Sequence, residues 1–497
     1  MFTYHHATRC AIVLMAFVVL FTGGCATIPV PTRSGHLGMD DPLGRCADFF
    51  DTLDRRVVHA QIIDPGAFKV PGHPYLRIDR FLASFREEVS DEAAFTAWVD
   101  RMQVLDQTAR RYEIANLPDV GPPQDRETLY DRVITCGNRL KAADFQTEDQ
   151  RRGLREKITA PDEYILLRQI LGIYPITRLF ISLGVSRWHA EIHRSFTVEP
   201  PADGSSTRYV PETGGVLPEP RVIVAHAGRD ALGIPRYTAD ALEALFQHHA
   251  PVWEVRTQVD DDRIGTPFWT SAEILAVDTG RPVTFMLLSH TRFQGEILTQ
   301  LNYMIWFPSR PKVHMLDIYG GLLDGLNYRV TLNTQGEPLL YETVHHCGCY
   351  YAAYPTRALK VRENIAYAEP PLILKAPDIP SGRQGMTVAM QSRTHFVHHL
   401  YPSGIEANAD SVAYTLTHYD RLRSLDDGRG GRRSMFGPNS LAPGTERLER
   451  WLFWPTGVLS PGAMRQWGRH AVAFVGERHF DDPFFMEEMF EVESYPN

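Results

Sequence analysis

The spacing of the apolar residues changes near residue 200, and this change constrains the fold of the 497-residue chain more than any other feature. Before this point apolar residues recur every three or four positions, as Phe95, Trp98 and Val99 do, which predicts helices. After it they alternate, as in the stretch 297–307, which predicts strands. A stretch rich in proline and glycine at 198–220 separates the two patterns and indicates a linker.

The predicted strands lie close together along the chain. The connections between them are too short for the crossover that parallel neighbours require, which favours antiparallel pairing. We therefore predict an α+β protein in which an N-terminal helical region is followed by a larger antiparallel β-sheet region. The predicted parts are a signal peptide at 1–24, a tether at 25–45, the helical region at 46–197, the linker at 198–220, the antiparallel β region at 221–420 and, at 421–497, a mixed C-terminal segment packed on the β region.

The first 24 residues have the features of an export signal. They contain one formal charge, Arg9, followed by an uninterrupted apolar run from Ala11 to Phe21. A hydrocarbon core about 30 Å thick requires about 20 helical residues, so this run is too short to cross a bilayer. A charged start followed by a short apolar core is typical of a signal peptide.

The residues before Cys25 carry a resemblance to a known class of proteins. Gly23 and Gly24 stand between the apolar run and the cysteine. This ending resembles the lipobox of bacterial lipoproteins, in which the peptide is cut before the cysteine and acyl chains such as palmitate are attached to the thiol. The resemblance implies lipidation at Cys25, and Ala26 after it implies the outer membrane, on the side of the periplasm. The alternative is an ordinary export signal in which Cys25 is incidental.

A second apolar stretch, from Tyr164 to Val185, is the longest in the remaining sequence. It is interrupted by Arg168 and Arg178, and it contains fewer than 18 consecutive uncharged apolar residues. We therefore interpret it as a helix that is either buried in the protein or lies at a membrane interface.

Cys10 lies in the predicted signal peptide and Cys25 is the predicted acylation site, so four of the six cysteines remain available for disulfides or metal binding. Cys46 and Cys136 each lie on the apolar side of a predicted helix, so a disulfide could join the two helices in an oxidising compartment. Two unpaired buried thiols are the alternative, since the sequence does not supply the distance between the two Cα atoms.

The segment from His345 to Cys349 has the side chains that zinc prefers. His345, Cys347 and Cys349 occur at every second residue, and His395 on a later strand could supply a fourth ligand. A bend at Gly348 would be needed to bring the three together. A disulfide to a distant partner, inert thiols and structural histidines are the alternatives.

Two hypotheses for function follow. The first is a noncatalytic binding or assembly lipoprotein of the cell envelope, held to the membrane by its acyl chains, with an envelope protein or a glycan as its ligand and no assured cofactor. The second is a periplasmic hydrolase in which zinc at the His345 segment activates water and Glu296 acts as general base. The net charge of −9 argues against nucleic acid as a partner. The chain also contains no nucleotide-binding or serine-hydrolase motif.

Overall fold

The computed structural model describes residues 41–160, 162–199, 206–212, 217–365, 367–377, 385–403 and 411–493. Within them the helices are α1 Pro42–His59, α2 Arg80–Ala83, α3 Glu92–Ala115, α4 Pro123–Asp144, α5 Glu148–Lys157, α6 Leu166–Leu171, α7 Tyr174–Ser195, α8 Pro220–His226, α9 Ala239–His248, α10 Arg450–Phe453 and α11 Phe485–Met489. The strands are β1 Phe68–Val70, β2 His73–Ile78, β3 Ser206–Pro211, β4 Gly228–Arg229, β5 Pro235–Arg236, β6 Val252–Arg256, β7 Thr266–Trp269, β8 Leu275–Asp278, β9 Val283–Phe293, β10 Glu296–Arg310, β11 Gly321–Leu332, β12 Pro338–His345, β13 Ala352–Pro355, β14 Leu359–Val361, β15 Leu372–Ile373, β16 Gly385–Met390, β17 Val397–Ser403, β18 Ser411–His418, β19 Leu425–Asp426, β20 Arg432–Arg433 and β21 Phe490–Val492.

The N-terminal helices form because polar side chains cap an apolar repeat. The Asp41 side chain accepts a hydrogen bond from the Leu43 amide at 2.7 Å where α1 begins. Asp91 does the same for α3, accepting from the Ala94 amide at 2.8 Å. Helix α4 then packs against both α1 and α3. The predicted helical region before a sheet region is confirmed.

A disulfide joins two of these helices. Cys46 of α1 and Cys136 of α4 are bonded, with their Cα atoms 5.0 Å apart. The predicted disulfide is therefore confirmed, and the alternative of two unpaired thiols is wrong for this pair.

A cluster of buried charges holds the helices on the hairpin β1–β2. Arg110 of α3 donates to Asp54 of α1 at 2.8 Å and to Asp106 at 3.1 Å. Arg77 of β2 donates to Asp106 at 3.1 Å and to Glu113 at 2.8 Å. All five side chains are almost completely excluded from solvent, so each charge depends on its partners for compensation.

The strands of the second region form a sheet that is only partly antiparallel. Strands β9, β10, β11 and β12 pair antiparallel in sequence order, as predicted. Strand β18 pairs parallel with both β9 and β3, and β16 pairs parallel with β6. The prediction of antiparallel pairing assumed that the connections between strands are too short for a crossover. Long stretches of chain separate β18 and β16 from their parallel neighbours, so this assumption does not hold for them. The sheet is therefore mixed, and the prediction of a purely antiparallel sheet is wrong. Among the described residues its strand order is β15-β13-β12-β11-β10-β9-β18-β3-β6-β16-β17.

The predicted linker contains part of this sheet. Strand β3, Ser206–Pro211, lies within 198–220 and pairs with β6 and β18. Helix α8 begins at Pro220, the last residue of the predicted linker. The proline and glycine residues therefore surround a short strand that enters the sheet.

Candidate functional site

The surface of helices α6 and α7 is strongly apolar. We call the following residues, each 50 % to 71 % exposed, the apolar face: Leu166, Leu167, Ile170, Leu171, Ile173, Ile176, Leu179, Phe180, Leu183, Trp451 and Leu452. On α7, residues 176, 179, 180 and 183 form one stripe at helical spacing. Ile181 and Ile192 of the same helix are buried against the protein. Helix α7 is therefore apolar on both sides although it lies at the surface.

Hydrogen bonds fix these helices on the protein. The Tyr174 hydroxyl donates to the Phe474 carbonyl at 2.9 Å and accepts from the Gly476 amide at 2.7 Å. Gln169 donates to the Thr456 carbonyl at 3.1 Å, in the turn that follows α10. A Cβ on Gly172 would lie 2.5 Å from Pro455 Cβ, so only glycine permits this approach of the corner between α6 and α7. The apolar face is thus a fixed surface.

Helices α6 and α7 carry mainly positive charge beside the apolar face, although Glu477 lies 3.5 Å from Gln169 of α6. Residues 164–190 contain Arg168, Arg178 and Arg187 and no aspartate or glutamate. No helix among the described residues is long and apolar enough to cross a bilayer. The region combines exposed apolar side chains with positive charge, a combination typical of interfacial helices.

A cavity of about 470 Å³ lies beneath α7. Its lining is mainly apolar and comes from α7, α10, the segment after β12 and the C-terminal segment at 471–474. Phe180 and Leu452 line the cavity and also belong to the apolar face. The cavity therefore opens at that face.

Two ionisable side chains in the cavity, Glu449 and Arg310, form no ion pair within 4 Å among the described residues, although each acts electrostatically on the other. Glu449, 3 % exposed, lines it, and among the described residues its carboxyl receives no hydrogen bond. Burial raises the pKa of Glu449 to about 7, although Arg447 and Arg310 act in the opposite direction. Arg310, 7 % exposed, also lines the cavity, and its side-chain hydrogen bond goes to the Tyr350 hydroxyl at 3.4 Å. No carboxylate of the described residues lies within 4 Å of its guanidinium group.

The histidines of the predicted zinc site do not line this cavity and have other partners. Nδ1 of His395 is 2.8 Å and Nδ1 of His345 is 3.4 Å from the Asp324 carboxylate. Arg447 lies 3.3 Å from the same carboxylate. Burial alone would raise the pKa of Asp324, but Arg447, His345 and His395 together hold it well below its usual value.

The thiols belong to a separate turn. Cys347 and Cys349 are unpaired and buried, and the Cys349 amide donates to Cys347 Sγ at 3.3 Å. Gly348 bends the chain with φ of +87°, as the zinc hypothesis required. Nevertheless, no three His, Cys, Asp or Glu side chains among the described residues are grouped to hold a metal ion. The predicted set His345, Cys347, Cys349 and His395 is not assembled as a metal site.

Glu296, the predicted general base, lies elsewhere. It is at the first position of β10, its side chain is 56 % exposed, and its carboxylate is 3.7 Å from Arg229. The structure therefore does not bring Glu296 together with the His345 segment. The predicted acylation site, Cys25, lies outside the described residues.

A larger cavity of about 740 Å³ lies between the helical region and the sheet. Several of its charged side chains have partners: Arg101 lies 2.5 Å from Asp230, and Arg423 lies 2.6 Å from Asp64. Asp79 also lines this cavity, accepts a hydrogen bond from the Leu82 amide at 2.7 Å, and forms no ion pair within 4 Å among the described residues. Burial raises the pKa of Asp79 to about 6. Gln300, in the alternating stretch 297–307, also lines it. We place the candidate site beneath α7 because that cavity, unlike this one, opens at the apolar face.

Comparison of the chain with models of protein families, with curated proteins and with solved structures found no match. Sequence reasoning did not identify Arg310 or Glu449. Neither residue stands in a motif, and the chain brings them together from positions 139 residues apart. The sequence did indicate the neighbourhood of the site in one respect. One of the two interpretations of residues 164–185 was a helix at a membrane interface, and this interpretation fits the exposed position of α6 and α7.

Proposed function

We propose that this chain is a lipid-anchored binding protein of the cell envelope that works at a bilayer surface without catalysing a reaction. Acyl chains on Cys25 hold it to the outer membrane on the periplasmic side, the apolar face contacts the acyl region of the bilayer, and the cavity beneath α7 receives a ligand there. The observation that carries the proposal is the apolar face with the cavity opening at it.

Burial of the apolar face is energetically significant. Removing a Leu, Ile or Phe side chain from water contributes about 1.5 to 3 kcal/mol. Insertion of several of these side chains into lipid therefore contributes more than most single contacts in the fold. Monomeric proteins rarely leave so many neighbouring apolar side chains in water.

Charge and tether length favour a bilayer over a protein as the occupant. The arginines at 168, 178 and 187, with no acidic residue among 164–190, complement anionic lipid headgroups. Fifteen residues separate Cys25 from Asp41, and fully extended they span at most about 55 Å. An acyl group on Cys25 would thus keep the start of α1 within about 55 Å of the bilayer surface.

Vesicle binding by the unacylated chain tests the contact. The Cys25→Ser protein should sediment with vesicles that contain phosphatidylglycerol and bind more weakly to vesicles of phosphatidylcholine alone. The double variant Leu167→Glu/Leu179→Glu should lose most of this binding. Ile274→Glu is the matched control, since Ile274 is 54 % exposed but lies outside the face.

The fluorescence of Trp451 provides a direct readout. Its emission, obtained as the difference from Trp451→Phe, should shift to shorter wavelength on vesicle binding because the indole leaves water. A concentration-dependent dimer that buries Trp451 without vesicles would identify a second copy as the occupant and overturn the proposal. For the anchor, mass spectrometry of the native protein should find an acylated peptide that begins at Cys25, and an unmodified later start would contradict it.

A further inference from the structure

We infer that the cavity beneath α7 binds the carboxylate of a single-chain amphiphile, a compound of the fatty-acid class. The inference rests on the proposed function, because the bilayer beneath the apolar face is the source of such a ligand. It depends on three features of the cavity: its size, the state of Arg310 and the state of Glu449.

The size of the cavity fits one alkyl chain. Its volume of about 470 Å³ lies in the range of about 300 to 1,000 Å³ found for small-molecule pockets. A cavity of this size can receive one alkyl chain, whereas a diacyl lipid carries two. The apolar lining continues to the mouth at Phe180 and Leu452.

Arg310 supplies the recognition of an anion. The ring centroids of Tyr319, Tyr350 and Phe396 lie 5.6, 5.4 and 5.1 Å from its guanidinium carbon. These rings hold the group in place, but they do not neutralise its charge. Asp324 and Glu449 act on Arg310 only from more than 4 Å away, so among the described residues no carboxylate contacts its guanidinium group directly. A carboxylate matches the two parallel N–H donors of arginine, and a ligand carboxylate would supply this contact.

Glu449 selects a singly charged head. Since this side chain is almost fully buried and receives no hydrogen bond among the described residues, its protonated form has an O–H donor to offer a ligand oxygen. The carboxyl of Glu449 packs against Gly462. A Cβ at position 462 would lie only 2.0 Å from Glu449 Oε1, so a larger residue there would displace the carboxyl. A carboxylate bound between Arg310 and a protonated Glu449 leaves no net charge, whereas a dianionic phosphate would leave one.

The test compares ligands that share a sixteen-carbon alkyl chain and differ only in the head group. We expect the delipidated Cys25→Ser protein to bind hexadecanoate in calorimetric titration at pH 6, with 1-hexadecanol and hexadecylphosphocholine bound at least tenfold more weakly. Equal affinity for hexadecanoate and hexadecanol would show that no carboxylate is recognised. Tighter binding of hexadecylphosphocholine would identify a phospholipid head as the ligand. Either result overturns the inference, and neither requires a mutant.

Variants locate the site. Arg310→Gln should weaken hexadecanoate binding at least tenfold and leave hexadecanol binding unchanged. Gly184 lines the cavity, and a Cβ on it would meet no atom within 4 Å, so Gly184→Phe should fill the space and weaken both ligands. Gly153→Phe is the matched control on α5, where a Cβ also meets no atom, and it should leave binding unchanged. Unchanged binding by Gly184→Phe would place the ligand elsewhere.

Hexadecanoate binding and vesicle binding can be tested independently, so failure of this inference can be distinguished from failure of the proposed function. The double variant Leu167→Glu/Leu179→Glu should lose vesicle binding, but it should still bind dissolved hexadecanoate because neither residue lines the cavity. Vesicle binding without selective hexadecanoate binding would leave the membrane contact in place and reject the ligand class.

Discussion

The Asp324 carboxylate lies 2.8 Å from Nδ1 of His395, and neither side chain has measurable exposure to solvent. The same carboxylate is 3.3 Å from the guanidinium group of Arg447. One acidic group on β11 therefore compensates charges from two distant parts of the chain.

Replacement of this acid should be strongly destabilising. We expect Asp324→Asn to lower the free energy of unfolding by roughly 3 to 5 kcal/mol, because it leaves the buried Arg447 without its counter-charge. Urea unfolding at pH 7 measures the change. Asp278→Asn is the control, since the Asp278 side chain is 37 % exposed and its pair with Arg281 should contribute less than about 1 kcal/mol.

The sign of the pH dependence follows from the depressed pKa of Asp324. A carboxyl whose pKa is lowered by folding stabilises the protein above its unfolded value, 3.8, and this contribution is lost as the pH falls below that value. The difference between the wild type and Asp324→Asn should therefore shrink below pH 3.8. Near neutrality it should also depend on His395, because burial acts to lower the pKa of this histidine but Asp262 and Asp324 together raise it, so the loss of Asp324 removes part of a stabilisation that is greatest below pH 6.5. A difference that grows below pH 3.8 would contradict the assignment of the charge.

The disulfide should contribute measurably to stability. Replacing both Cys46 and Cys136 by alanine should lower the free energy of unfolding by about 2 to 5 kcal/mol, because the bond closes a long loop in the unfolded chain. Thermal unfolding with and without reductant measures it. Reductant should lower the midpoint of the wild type and leave that of the double variant unchanged. Cys347→Ser, at a free thiol, should keep the sensitivity to reductant.

The buried charges of the helical region should behave differently from a surface pair. Arg110→Met should destabilise the protein by roughly 3 to 5 kcal/mol, because Asp54 and Asp106 lose a donor at a site where their side chains are almost completely buried. Arg55 pairs with Asp51 at the surface with 58 % of its side chain exposed, so Arg55→Ala should cost less than about 1 kcal/mol. Equal losses in urea unfolding would show that the buried cluster is hydrated.

Ligand binding should depend on pH through Glu449. Its pKa is raised to about 7, so the carboxyl is protonated below that value and charged above it. Hexadecanoate, a carboxylate with a usual pKa of about 4 to 5, stays ionised from pH 6 to 8. Its affinity should fall as the pH rises through 7 because two carboxylates then face one guanidinium. Hexadecanol should show no such change.

Other titratable groups around Glu449 require a control. The charged groups that act most strongly on its pKa are Arg447, Arg310, Asp324 and Asp317. The other titratable groups that line the cavity are His189, Glu369, Arg478, Tyr319, Tyr350 and Cys349. Burial lowers the pKa of His189 to about 4, whereas hydrogen bonding to Cys347 and burial raise that of Cys349. Glu449→Gln keeps a donor and removes the carboxyl, so it should bind hexadecanoate with an affinity that no longer changes between pH 6 and 8. A persisting change would assign the titration to another group, such as Cys347.

Local patterns predicted the elements better than their assembly. The repeats that contain Cys46 and Cys136 gave both the helices and the buried sides of the two cysteines. The alternation at 297–307 gave strand β10, but it could not reveal that both faces of this strand are buried. The parallel partners of β18 were missed because they depend on long connections, whose course local spacing does not determine.

The candidate site was less predictable because it depends on tertiary contacts. His345 and His395 resemble zinc ligands in sequence, but in the fold their ring nitrogens face Asp324, a residue that no motif marks. The exposure of Phe180 and the burial of Glu449 likewise depend on what packs beside them. An apolar helix has the same sequence pattern whether its outer side meets protein, water or lipid.

The position of β18 has a consequence for how this polypeptide matures. Among the described strands, β18 joins β9 to β3 in the main sheet, so the two halves of that sheet cannot unite until residue 411 or later has left the ribosome. Pairing between such distant segments is slow. A nascent chain of this topology can pair β9 to β12 early, but it completes the main sheet only late in its synthesis.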